Sequence, residues 1–159
     1  MADIGHTVVR TPNDLEIVAT RDYEAPIELV FEVITLPEHI RQTMAPFDEQ
    51  VTECSVDLRP GGSYRNVFVT PDGLECAFKG EYLEIDPPHR VVATWEFEGW
   101  PGVEAVESDE LAQSGDVTTL TWRLAFRDRA GREHWKSHDG IESNLEQLDN
   151  YLRSLLSAR

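Results

Sequence analysis

The 159-residue chain carries 14 Lys plus Arg against 30 Asp plus Glu, a formal net charge of −16, with an ordinary apolar share of 40%. So acidic a protein repels nucleic-acid backbones and anionic lipid headgroups, which excludes both as expected partners. No stretch approaches the roughly 20 consecutive apolar residues of a membrane span, and the N-terminal "MADIGHTVVRTPND" lacks the basic-then-apolar layout of a secretion signal, so a cytoplasmic location is expected.

The length suits one domain over residues 1–159, with 1–13 as a loosely ordered, polar lead-in. "LEIVATRDYEA" then alternates Leu15, Ile17 and Ala19 with other residues, a strand pattern that ends at Pro26. From Pro26 the period changes. Ile27, Val30, Phe31 and Ile34 recur at helical spacing, and "TLPEHIRQTM" restarts a second short helix after Pro37.

Beyond Pro46, strands are expected at 51–58, 63–70, 74–86, 90–98, 103–112 and 117–127, separated by "RPGG", "TPDG", "DPPH", "GWPG" and "QSGD". Connections this short favour an antiparallel meander, because a parallel crossover needs a dozen or more residues. Alternation assigns an inner face: Leu74, Cys76, Phe78 and Tyr82; Val91, Ala93, Trp95 and Phe97; Leu120, Trp122, Leu124 and Phe126. Leu83 and Ile85 break the phase, so a bulge is expected near Gly80 to Tyr82, with a strongly curved sheet.

The last element is a long helix from about His134 to Leu156, with Ile141, Leu145, Leu148, Leu152 and Leu155 as its apolar stripe. It must lie on the inner face of the sheet. The expected fold is therefore α+β: a curved antiparallel sheet wrapped around a long C-terminal helix, with two short helices after the first strand.

Five strings carry a resemblance in register: "YEAPIELVFEVIT", "DLRPGGSYR", "TPDGLECAFKGEYLEIDPPHRVVATWEFEG", "TTLTWRL" and "GIESNLEQLDNYL". From about residue 14 to 156 the chain resembles the activator of heat-shock protein 90 ATPase homologue-like family of the START/SRPBCC superfamily. The resemblance implies the helix-grip fold and a cavity between sheet and helix for small, mostly apolar molecules. It implies no single activity, since the superfamily includes carriers, cyclases and many members of unknown role. Where many members carry W-W-x-P after the second helix, this chain has "TMAPFD", which implies a less aromatic entrance.

Weighed for chemistry, "DLRPGGSYR" lacks the G-x-x-x-x-G-K-[ST] pattern and a following helix, so it reads as a turn between strands. Arg59 and Arg65 are then expected to pair with nearby carboxylates. His134 and His138 have a metal-compatible spacing but no third ligand cluster, and no metal or cofactor is expected. Cys54 and Cys76 read as buried thiols. Candidate acid–base groups are Asp57, Glu84, His138 and Asp139, none with a visible partner, and no G-x-S-x-G or H-E-x-x-H motif is present.

The ligand cavity is expected to be lined by Tyr64, Asn66, Phe68, Phe78, Trp95, Phe97, Trp122, His138, Ile141 and Leu145, with Arg65 and Thr94 as further orienting groups. The leading reading is a protein that binds a small hydrophobic or aromatic molecule without chemistry. A cyclase-like or hydrolase-like enzyme using the same cavity and a chaperone-interacting domain stay open beside it, the chaperone partner not favoured. A homodimer is compatible with the sequence.

Overall fold

The computed structural model describes residues 5–44, 50–136 and 139–158. Strands β1 (Val8–Arg10) and β2 (Glu16–Tyr23) precede helices α1 (Ile27–Thr35) and α2 (Pro37–Thr43). The meander follows as β3 (Gln50–Val56), β4 (Ser63–Val69), β5 (Glu75–Asp86), β6 (Arg90–Phe97), β7 (Ala105–Ser114) and β8 (Val117–Phe126). A short α3 (Arg129–Arg132) and a long α4 (Asp139–Ser157) complete the described elements.

Among the described residues the eight strands form one antiparallel sheet in the order β1-β2-β8-β7-β6-β5-β4-β3. The meander therefore returns its last strand to the side of β2, and α1 and α2 carry the chain from there to the far edge. Local chemistry sets the break between the helices. Leu36 precedes a proline and is extended, at φ −87° and ψ 135°, which ends α1, and Pro37 opens α2.

β1 lies within the stretch expected as lead-in and pairs Val8 with Thr20. The inner parity expected for 74–82 fails at its start, where Leu74 is 62% exposed. Leu74 precedes β5 in the Thr70–Leu74 turn, where its N–H donates to the Thr70 hydroxyl at 3.0 Å. The last helix also begins later than expected. Asp128 accepts the Gly131 N–H at 2.7 Å and caps α3, so His134 and Trp135 lie between two helices rather than inside one.

The sheet bends where β5 meets β6. The extra residue is Leu83, between the pairs Tyr82–Ala93 and Glu84–Val92, one position beyond the expected bulge. Just before it the ladder skips Gly80 and Glu81. A Cβ on Gly80 would sit 1.8 Å from the Thr94 carbonyl oxygen, so only glycine permits this approach. Thr94 supplies the replacement bonds: its hydroxyl accepts the Glu81 N–H at 2.8 Å and its carbonyl accepts the Tyr64 hydroxyl at 3.0 Å.

α4 lies against the concave face of the bent sheet and buries Ile141, Leu145, Leu148 and Leu152 with Ile17, Ala19, Leu120 and Leu124 in one core. Two polar contacts tether it. The Tyr23 hydroxyl donates to the Leu145 carbonyl at 3.0 Å, and Arg21 Nη2 donates to Asp149 Oδ2 at 2.9 Å. This is the helix-grip arrangement. Among the described residues, no helix is long and apolar enough to cross a membrane.

The "DLRPGGSYR" segment is a turn whose glycines serve the backbone. Gly61 has φ +87° and a Cβ on Gly62 would lie 2.1 Å from the Asp57 carbonyl. The Gly61 N–H donates to Tyr82 O and the Gly62 N–H to Arg59 O, both at 2.8 Å, which leaves neither for a phosphate. Arg59 pairs with Asp57, and Arg65 with Glu53 and Glu98.

Candidate functional site

A cavity of about 530 Å³ lies between the concave sheet and the first turns of α4. Tyr64, Asn66 and Phe68 reach it from β4, Phe78 from β5, Trp95 and Phe97 from β6, and Trp122 from β8. They do so because each occupies the inward parity of its strand. Ile141 closes the α4 side, and Leu145 lines an adjoining pocket of about 170 Å³. His138 lies outside the described residues, as does the side chain of Asp139.

Two tryptophans that periodicity did not single out complete the aromatic wall. Trp100 follows β6 and Trp135 follows α3, and both line the cavity. Trp135 has its ring centroid 6.1 Å from Trp95 and 6.0 Å from Trp122, while Trp100 stands edge-on to Phe97 at 5.1 Å. The wall is therefore aromatic even though "TMAPFD" replaces the expected tryptophans. Met44 lines the cavity at that position, and residues 45–49 lie outside the described residues.

Arg65 and Thr94 do not line this cavity. They line a separate cleft on the outer, convex side of the sheet, of about 870 Å³. That cleft is larger, but its walls carry charges already paired with one another, as in Lys79–Glu96 and Arg127–Glu104. The inner cavity combines apolar walls with few polar groups, which is the usual form of a small-molecule site.

The inner carboxyl groups are Glu107 and Asp109 on β7, not the expected Asp57 or Glu84. Asp57 pairs with exposed Arg59, and Glu84 hydrogen-bonds Arg90. Glu107 lines both pockets and Asp109 the smaller one. Glu107 Oε2 accepts the Trp122 indole N–H at 2.9 Å. Burial pushes the Glu107 carboxyl above the ordinary carboxylate range, opposed by that hydrogen bond. Burial, with the neighbouring charge of Glu107, pushes Asp109 well above it. The signal was present in parity. On β7, Ala105, Glu107, Asp109 and Leu111 alternate, and buried Ala105 and Leu111 bracket the two acids on the inner face.

Two polar atoms on the cavity wall are buried without a partner, Asn66 Oδ1 and Trp135 Nε1. Asn144 Nδ2, by contrast, donates to Thr43 O at 2.6 Å and ties α4 to α2. His134 sits exposed at the rim, its ring 5.6 Å from Trp100. Cys54 and Cys76 form no disulfide, and burial raises the Cys54 thiol. Among the described residues, no group of three or more His, Cys, Asp or Glu side chains is placed to hold a metal ion.

Because the Asp128 cap starts the short helix that delivers Trp135, Asp128→Ala is expected to lower unfolding free energy by about 1 kcal/mol. Urea unfolding followed by tryptophan fluorescence measures it, and an unchanged midpoint would mean that the cap contributes nothing.

Comparison with known proteins gives a consistent result. The family model for Activator of Hsp90 ATPase homolog 1-like protein matches residues 24–153. A Rhodobacter sphaeroides protein of solved structure superposes with TM-score 0.86 at 19% identity, covering 94% of this chain and 99% of its own. A Nitrosomonas europaea protein gives 0.79 at 25%, covering 92% and 99%. One from Chromobacterium violaceum gives 0.77 at 26%, covering 89% and 98%. No curated protein matches the chain.

Proposed function

We propose that this chain, which belongs to the Activator of Hsp90 ATPase homolog 1-like family, binds a small hydrophobic or aromatic molecule in the cavity between its curved sheet and α4. One observation carries the reading. An aromatic cavity has a buried acceptor, Asn66 Oδ1, and a buried donor, Trp135 Nε1, left without partners on its wall. A buried polar group left unpaired costs about 1–3 kcal/mol. A ligand towards which either side chain turns its unpaired atom relieves that cost, while the ligand's apolar body replaces water against the rings.

In this reading Tyr64, Phe68, Phe78, Trp95, Phe97, Trp122 and Ile141 contact the ligand body, Leu145 bounds the deeper pocket, and Asn66 and Trp135 orient it. His138 belongs to the same proposed set. The Tyr64 phenol already donates to the Thr94 carbonyl, and burial holds it above its usual range. It therefore contributes a neutral aromatic surface.

The test is native mass spectrometry of gently purified protein, joined to a thermal-shift screen of lipids, polyketides and aromatic compounds. A retained small molecule, or a compound that raises the melting temperature by about 5–10 °C near saturation, is the expected result. A measurable complex with heat-shock protein 90 and no ligand response would overturn the proposal in favour of a chaperone-interacting domain. Turnover of a hit during prolonged incubation would turn the binding protein into an enzyme.

A further inference from the structure

We infer, resting on the ligand-binding reading above, that the molecule held in the cavity is a hydrophobic amine, with an aromatic or apolar body against the tryptophans and a protonated nitrogen facing Glu107 and Asp109.

The cavity's inner end is polar. Glu107 and Asp109 stand two residues apart on one strand face, so their side chains leave the backbone roughly 7 Å apart and point the same way. Both line the deeper pocket beside Asn66 and Asn144. Asn66 Oδ1 is a buried acceptor without a donor, and the Asn144 amide nitrogen is already committed to Thr43 O. This end of the cavity is thus rich in acceptors. A ligand complementary to it brings N–H donors.

Charge narrows the choice further. Among the described residues, neither carboxyl group has an ion-pair partner. Two arginines of the sheet are committed elsewhere: Arg21 on β2 pairs with Asp149, and Arg65 on β4 pairs with Glu53 and Glu98 on the outer side. Among the described residues, the phenols Tyr64 on β4, Tyr82 on β5 and Tyr23 on β2 are titratable groups around the pair. All three are held above their usual range by burial and are neutral. His134 and Lys136 line the cavity only at its exposed mouth. A partly buried carboxylate without a counter-charge is costly, and the cation it lacks is the natural content of the space beside it.

The walls suit the same guest. Trp95, Trp100, Trp122 and Trp135 enclose the cavity, with neighbouring ring centroids 6.0–6.4 Å apart. Faces of tryptophan attract organic cations more strongly than any other side-chain ring, and the attraction grows when the contact is desolvated. An anionic ligand would meet the acids head on. A neutral one would leave them uncompensated. The indole N–H of Trp135, unpartnered on the same cavity's lining, suits an acceptor, so a hydroxyl or carbonyl on the amine's body completes the match.

Three probes that share a naphthalene ring and differ in charge decide the matter: 2-naphthylmethylamine, 2-naphthylmethanol and 2-naphthoate, each titrated into the full chain by calorimetry at pH 7. The amine is expected to bind at least tenfold tighter than the alcohol, with naphthoate weakest. In Glu107→Gln/Asp109→Asn, which keeps shape and an acceptor for Trp122, the amine-to-alcohol ratio is expected to fall to about one. Alcohol or naphthoate binding as tightly as the amine overturns this inference alone, as does a ratio that survives in the double variant. Silence of all three probes also overturns this inference, while the ligand-binding reading stands or falls by the mass spectrometry and thermal-shift screen above. The comparison of the three probes on the unaltered chain stands even if the variant does not fold.

Discussion

Replacing Asp149 by alanine is expected to lower the free energy of unfolding by about 3–5 kcal/mol, the usual cost of leaving one member of a buried ion pair without the other. Asp149 is on α4 and Arg21 on β2, and their side chains are only 9% and 6% exposed. Arg21 also donates to the Thr7 hydroxyl at 3.0 Å and lies over the Tyr23 ring, but its Nε has no partner. Truncating Asp149 therefore strands a guanidinium under the helix. Arg153 also reaches Asp149, at 3.0 Å, but is 58% exposed, so its loss should cost little.

The double variant Arg21→Met/Asp149→Leu separates charge from packing. It is expected to recover most of the loss, because apolar replacement of a buried pair is often neutral or favourable. Urea unfolding of the three proteins supplies the comparison. A loss below about 1 kcal/mol in Asp149→Ala would show that Arg21 finds solvent or another partner, and that the pair does not hold α4 to the sheet. Loss of that tether is also expected to weaken ligand binding, since Ile141 and Asn144 of the same helix line the cavity.

The second large effect has the opposite sign. Asp109→Asn is expected to stabilise the ligand-free protein by about 1–2 kcal/mol at pH 7, because it removes a partly buried charge that has no counter-ion among the described residues. The pH dependence follows from linkage. Both acids have folded-state values raised above those of the unfolded chain, so between the two values the folded state holds more protons. The unaltered protein must then gain stability as pH falls from 7 towards the ordinary carboxylate range near 4, and lose it as pH rises.

In Asp109→Asn that gain is expected to shrink, so that the two proteins converge near the acid end of the window. Glu16 and Glu98 act in the other direction, held low by Asn13 and by Arg65 respectively, but their stability is lost only below the ordinary carboxylate range. The two windows do not overlap. Thermal unfolding from pH 4 to 8 measures the slope. An unaltered protein whose stability is flat or rises with pH between 5 and 7 would mean that the β7 acids are solvated in the folded state. Acids that destabilise the empty protein are a common mark of a site whose stability has been given up for function.

Much of the architecture was legible because burial imposes a period. Ile27, Val30 and Phe31 show helical spacing and all three are buried on α1. Leu120, Trp122, Leu124 and Phe126 alternate and are all buried on β8. The same rule gathers Tyr64, Asn66, Phe68 and Phe78 around one space, since paired strands in register present one parity to one face. The rule is weaker at ends, as Leu74 shows. A residue one step outside the ladder is governed by its turn, not by the sheet.

Glu107 and Asp109 are illegible in the sequence for a different reason. A charged residue in a strand reads as solvent-facing, and only the bracketing Ala105 and Leu111 argue otherwise. Trp100 and Trp135 lie outside regular elements, where no period exists to say which way a side chain points. Their meeting with Trp95 depends on the Asp128 cap and on how the segment after α3 crosses the cavity.

Composition, period and turn chemistry thus determined the order of the larger elements, the antiparallel meander and the gripped helix, because each is written in local pattern and in the need to bury an apolar face. Only the tertiary structure decided that the extra residue of the bulge is Leu83, that two acids face inward with no cation paired to them among the described residues, and that four tryptophans from β6, β8 and two loops share one cavity. Those features depend on which distant groups remain unpaired once the chain has closed, and no local pattern records an absent partner.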